Sequence, residues 1–165
     1  MIEFTIRPLA ETDRGFVVMS WRQGAKEAPT SARTPWHYFK ATTGKLIGDL
    51  VNGADQRILA AYTDDNKILG WICYTPGKRT HTLHWVYVKH GGDMLLRRKG
   101  LMMALLDSAH LGERFAYTMR ARKTHENDDQ LRDGSKAKSF DMLLAEKLQE
   151  RGINAAYVPL KEFLS

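Results

Sequence analysis

The stretch from Thr82 to Leu106, TLHWVYVKHGGDMLLRRKGLMMALL, constrains the fold more than any other part of the chain. Its first part alternates Thr82, His84, Val86 and Val88 with Leu83, Trp85 and Tyr87, and neither set is strongly polar. A strand with two apolar faces has to be covered on both sides, so this one is expected at the centre of a sheet between helical layers. A turn rich in glycine and basic residues follows. A helix is then expected from Leu96 to His110, with Leu101, Ala104, Leu105 and Ser108 on its apolar or small face. A strand that feeds a helix through glycines and arginines gathers backbone N–H groups, the positive helix end and cationic side chains at one spot. That combination suits an anionic, phosphate-bearing ligand.

The remaining elements follow from local patterns. Ile2 to Arg7 alternates apolar and polar residues as a half-buried strand does, and Pro8 ends it. Asp13 reads as the N-cap of a helix carrying Phe16, Val17 and Trp21, with Gly24 as its stop. Ala25 to Pro35 reads as a loop. Pro35 opens a second helical stretch, weakened at Thr42, Thr43 and Gly44, where it can break in two, and ended by Asn52 and Gly53. Arg57–Thr63 and Lys67–Thr75 flank Asp64, Asp65 and Asn66 and predict a β-hairpin. Arg114–Arg120 is a further strand, Ala121–Ser135 a charged loop, Ser139–Arg151 an amphipathic helix closed by Gly152, and Ile153–Leu160 a last strand. With no repeat or linker, residues 1–165 read as a single mixed α/β domain.

The chain of 165 residues is long enough for a proper core, and its single cysteine, Cys73, lies in an apolar run where a packed thiol is expected. One cysteine permits no intrachain disulfide, which fits a cytoplasmic protein. No window approaches the run of about 18 apolar residues that a membrane span needs. The formal charge of +6 permits nucleic acid, acidic partners or a polyphosphate cofactor without requiring any of them. The histidines show no metal-ligand spacing, so no metal is expected.

The element order is strand, two helices, hairpin, central strand, helix, strand, helix, strand. Together with the basic glycine turn, it resembles the GNAT superfamily of acyl-CoA-dependent N-acyltransferases. The likeness is concentrated in Arg97-Arg98-Lys99-Gly100-Leu101-Met102, which matches the family's Arg-x-x-Gly turn, and in Ala104-Leu105-Leu106 of the following helix. Ile6-Arg7-Pro8-Leu9 is similar to the usual opening strand, and Lys147 to Ile153 to the late helix. The resemblance implies a GNAT-like, mostly antiparallel central sheet with helices on both faces. It also implies transfer of an acyl group, most simply acetyl, from acetyl-CoA or another acyl-CoA to an amine acceptor. Val86, Val88 and Lys89 would then pair with pantetheine, while Arg97, Arg98, Lys99, Gly100, Leu101 and Met102 would hold the pyrophosphate. Three departures stand out. Met102 occupies the last Gly/Ala position, the turn around His90 to Met94 is enlarged, and Leu148 stands where many members have a proton-donating tyrosine.

For the chemistry, His84 is the first candidate base because it sits on the central strand with a pKa near the working range, followed by His90. Tyr87 is a candidate donor to the thiolate. Trp36 and Tyr38 belong to an aromatic cluster for which core packing is the first expectation; the alternative is a substrate-facing wall, because the resemblance implies that this region covers the acceptor site. Two other functions fit the same pattern. One is a nucleic-acid-binding or DNA-modifying protein, suggested by Arg114, Arg120, Arg122, Lys123, Arg132, Lys136 and Lys138. The other is a catalytically silent GNAT-like protein that works through protein contacts. The short tail after Ile153 leaves the sheet's end open to a partner strand, so a homodimer is a further expectation.

Overall fold

The computed structural model describes residues 3–27, 33–89, 100–118, 150, 152 and 154–157. Among these, six strands form one sheet in chain order: β1 (Thr5–Pro8), β2 (Arg57–Tyr62), β3 (Ile68–Thr75), β4 (His81–Val88), β5 (Arg114–Tyr117) and β6 (Asn154–Tyr157). The first three pairings are antiparallel, and β4–β5 and β5–β6 are parallel. The sheet is therefore mixed and mostly antiparallel, with β4 at the junction between its two halves.

Helix α1 (Arg14–Glu27) buries Val17, Trp21 and Ala25, one residue per turn on one face. It does not stop at Gly24. The glycine instead admits a close approach, since a Cβ there would lie 2.8 Å from Trp85 Cζ2. Asp13 ends a 3-10 turn (Glu11–Asp13), and its carboxylate accepts the Tyr62 hydroxyl at 2.9 Å. Helices α2 (Trp36–Ala41) and α3 (Thr43–Asn52) meet at the expected break, where the Thr42 hydroxyl donates to the Tyr38 carbonyl at 2.9 Å. Arg22 ties α1 to α3 through a 2.9 Å hydrogen bond to the Gly44 carbonyl.

The layers separate cleanly. Val17, Trp21, Phe39, Ile47, Leu50 and Val51 pack on one side of the sheet against Ala60, Trp71, Cys73 and Trp85. On the other side, Leu101, Leu105 and Leu106 of α4 (Leu101–Ser108) pack against Leu69, Ile72, Leu83 and Phe115. Burying a side chain the size of leucine contributes about 1.5–3 kcal/mol, so these two layers dominate the stability. Cys73 is a fully buried member of the first layer, and burial lifts its thiol well above the usual range. The hairpin closes at Asn66, which takes a positive φ of 60°, a conformation asparagine tolerates.

Among the described residues no helix is long and apolar enough to cross a membrane. Of the expected late helix Ser139–Arg151 only Glu150 is described, and it is helical. The charged segment Ala121–Ser135 lies outside the described residues, as does the part of the expected helix before Gly100.

Candidate functional site

Strand β4 does not alternate as its sequence suggests. Cys73 pairs with Trp85, yet the next residue of β3, Tyr74, pairs with Leu83, so His84 is an extra residue in β4. This bulge changes which side chains share a layer. Leu83 packs with Val86 and Val88 on the α4 side, whereas Trp85 and Tyr87 pack on the α1 side. The expected grouping of Leu83 with Trp85 and Tyr87 is thus replaced.

The bulge also sets where the backbone points. The Lys89 N–H donates to the Leu69 carbonyl at 2.8 Å, on the β3 side. By strand alternation, Val86 and Val88 present their N–H and C=O groups to the opposite side, towards β5. Pairing of β4 with β5 covers His81, Thr82 and Leu83, with the Thr118 N–H donating to the Leu83 carbonyl at 3.0 Å. Beyond that point no described strand pairs with Val86 and Val88 on that side. Lys89 itself is exposed, and its amide is turned to β3 rather than towards β5.

His84 is buried, 1% exposed, and is bracketed by two hydroxyls. Nε2 lies 2.7 Å from Thr75 Oγ1 and Nδ1 lies 2.9 Å from Thr118 Oγ1. A neutral imidazole has one donor and one acceptor nitrogen, so one threonine accepts and the other donates. Desolvation by burial pulls its pKa down to about 4, so it stays neutral at pH 7. Its geometry is that of a cross-strand brace rather than of a base with a nitrogen facing substrate.

Helix α4 begins at the end of β4 that carries Val88. Gly70 is the register partner of Val88, and a Cβ on it would lie 2.6 Å from the Tyr87 carbonyl, 3.3 Å from Leu105 and 3.4 Å from Leu101. The missing side chain lets the first turn of α4 sit directly on the sheet. Gly100 caps that helix with φ 73°, a left-handed conformation that costs other residues roughly 1–2 kcal/mol. A Cβ there would meet no described atom within 4 Å, so the need for glycine is conformational. Leu101 is buried and Met102 half-buried against the α4 layer. Arg97, Arg98, Lys99 and His90 lie outside the described residues.

Tyr87 is half-buried between the Trp71 ring, stacked at 5.8 Å, and the edge of Phe16 at 6.0 Å. Burial raises its pKa, so the phenol keeps its proton at neutral pH. Trp36 and Tyr38 are exposed at 46% and 59% and so are not core residues, while their neighbour Phe39 is buried. Trp36 is steadied by stacking on Phe39 at 5.4 Å and by Lys40 Nζ at 5.4 Å from its ring. The sequence pattern did not single out Thr75, Thr118 or Gly70, and it grouped Phe16 with the buried Val17 and Trp21, whereas Phe16 is exposed and lies against Tyr87. Only Gly70 carried a local signal, as a glycine inside an apolar strand.

No protein-family model matches the chain, and no curated protein matches it. Solved structures do. A candidate GNAT-family acetyltransferase from Desulfovibrio desulfuricans aligns at 22% identity over 65% of this chain, with a TM-score of 0.40. The match spans 63% of that protein's own length. A candidate acetyl transferase from Pyrococcus furiosus aligns at 14% identity over 84% of this chain and 96% of its own, with a TM-score of 0.52. A Corynebacterium glutamicum protein described as histone acetyltransferase HPA2 and related acetyltransferase aligns at 18% identity over 81% and 83%, also at 0.52. At these identities the likeness is one of fold, and the last two matches carry it.

Proposed function

We propose that this chain, which has the fold of the GNAT acetyltransferases, transfers an acyl group from acyl-CoA to an amine. One observation carries the reading: Val86 and Val88 turn their backbone groups to the β5 side of β4, where no described strand pairs with them, beside a helix capped by a left-handed glycine. The pantetheine amides would pair with Val86 and Val88, leaving Lys89 to contribute by charge alone. The pyrophosphate would meet Gly100, Leu101 and Met102 at the positive end of α4, with Arg97, Arg98 and Lys99 adding charge. The amine nitrogen attacks the thioester carbonyl, the C–N bond forms, the C–S bond breaks, and the amine's proton passes to solvent. Tyr87 is the proposed donor to the departing thiolate, a phenol that burial keeps protonated at neutral pH. Trp36 and Tyr38 are proposed as a wall of the acceptor site.

Acetyl-CoA at about a hundred times its dissociation constant should stabilise the folded chain by ~2.7 kcal/mol, read as a rise in thermal midpoint. Gly100→Val should abolish that rise while the protein stays folded. No stabilisation by acetyl-CoA or by longer acyl-CoA would refute the reading. Exposed Arg33, Trp36, Tyr38 and Lys40 favour a second reading, in which nucleic acid is the acceptor or a ligand, through stacking and phosphate contacts. It predicts oligonucleotide binding that weakens steeply with salt.

A further inference from the structure

We infer that His84 is a positioning residue: braced by Thr75 and Thr118, it holds the extra residue in β4 and thereby aims the Val86 and Val88 backbones at the β5 side of the strand, where no described strand pairs with them. The inference rests on the acyl-CoA reading above and adds a role exerted through the strand rather than on the substrate.

Three observations converge on it. The bulge falls at His84 itself, between the Cys73–Trp85 and Tyr74–Leu83 pairs. The two hydroxyls that hold the ring come from the neighbouring strands on either side, Thr75 at the end of β3 and Thr118 just past β5. The same Thr118 donates its N–H to the Leu83 carbonyl, at the last β4 residue in the described pairing with β5. The ring therefore marks both the place where the strand's parity changes and the place where described pairing with β5 ends.

The parity matters because a strand has only two sides. Without the extra residue, one half of β4 would have to slip by one position relative to β3. Val86 and Val88 would then turn their backbone groups to β3, and their side chains would leave the α4 layer for the α1 layer. A buried histidine that merely fills space would permit no such consequence. Its two hydrogen bonds to separate strands make the bulged register the one in which every ring nitrogen is satisfied.

The test compares His84→Val, which removes both hydrogen bonds and favours a regular strand, with His84→Asn, which keeps a donor and an acceptor on one planar group. Thr118→Val removes one anchor at nearly constant volume and carries the test if His84→Val does not fold. Acetyl-CoA affinity is measured by calorimetry at a temperature where circular dichroism shows each variant folded. Hydrogen exchange at the Lys89 amide, bonded to Leu69 in the bulged register, is followed alongside. His84→Val and Thr118→Val should weaken binding by about tenfold or more, with His84→Asn recovering most of it. In His84→Val the Lys89 amide should lose its protection. Folded variants that bind as the wild type does would overturn the inference and leave the acyl-CoA reading standing. If the wild type binds no acyl-CoA, that reading falls. Lys89 protection then decides the bulge, and unchanged protection in His84→Val overturns its assignment to His84.

Discussion

Gly24 illustrates how much a single missing methyl group can decide. In the last turn of α1 it is a poor helix former, yet any side chain there would drive into the Trp85 ring. Trp85 cannot swing away freely because it stacks on Trp21 at 6.3 Å. Gly24→Leu should therefore cost about 1–3 kcal/mol despite its better helix propensity, measured by urea denaturation. A neutral result would show that the tryptophan layer yields. Cys73 supports a second residue-scale prediction. Buried and held as the thiol, it should react with a thiol reagent only as fast as the protein opens. Rapid labelling of the native chain would contradict its place in the core.

Among the elements, β3 and α4 depend on one another through Gly70. Gly70→Val would place methyl groups against the Tyr87 carbonyl and the Leu101 and Leu105 side chains, lifting the first turn of α4 from the sheet. A loss of about 1–3 kcal/mol is expected, together with weaker acetyl-CoA binding, since Gly100 and the helix N-terminus move with that turn. Stability loss with unchanged affinity would mean that the ligand does not use this helix end. The α2–α3 pair behaves differently, because its break at Thr42 is local. The threonine hydroxyl bonds back to the Tyr38 carbonyl in the helix that precedes it.

For the molecule as a whole, His84 links the centre of the sheet to pH. Unfolded, its imidazole titrates near pH 6.5. Folded, burial holds it to about 4. Both states leave it neutral above pH 6.5. As pH falls from there towards 4, the unfolded chain takes up a proton that the folded chain refuses, so stability drops by up to about 3 kcal/mol. Urea midpoints between pH 7 and 4 should show this slope, and His84→Asn should flatten it. An identical slope in both proteins would place the titration elsewhere. The +6 charge acts at the same scale: if the ligand is acyl-CoA, a polyanion, its affinity should fall as salt rises from low to moderate concentration.

The residue order alone determined what depends on near neighbours. The hairpin around Asp64 to Asn66, the break at Thr42, the apolar faces of β4 and the glycine ahead of α4 all follow from periodicity and turn chemistry within a few positions. So does the element order that carries the resemblance. Tertiary structure decided the rest. The bulge at His84 depends on Thr75, nine positions before it, and on Thr118, 34 positions after it. No local pattern encodes that meeting, and alternation alone puts Leu83 on the wrong face. The direction of the Val86 and Val88 backbones, the exposure of Trp36 and Tyr38, and the use of Gly24 as a contact are likewise set by what packs against them. Short-range geometry chose the elements, and long-range contacts chose which way the backbone of the central strand faces.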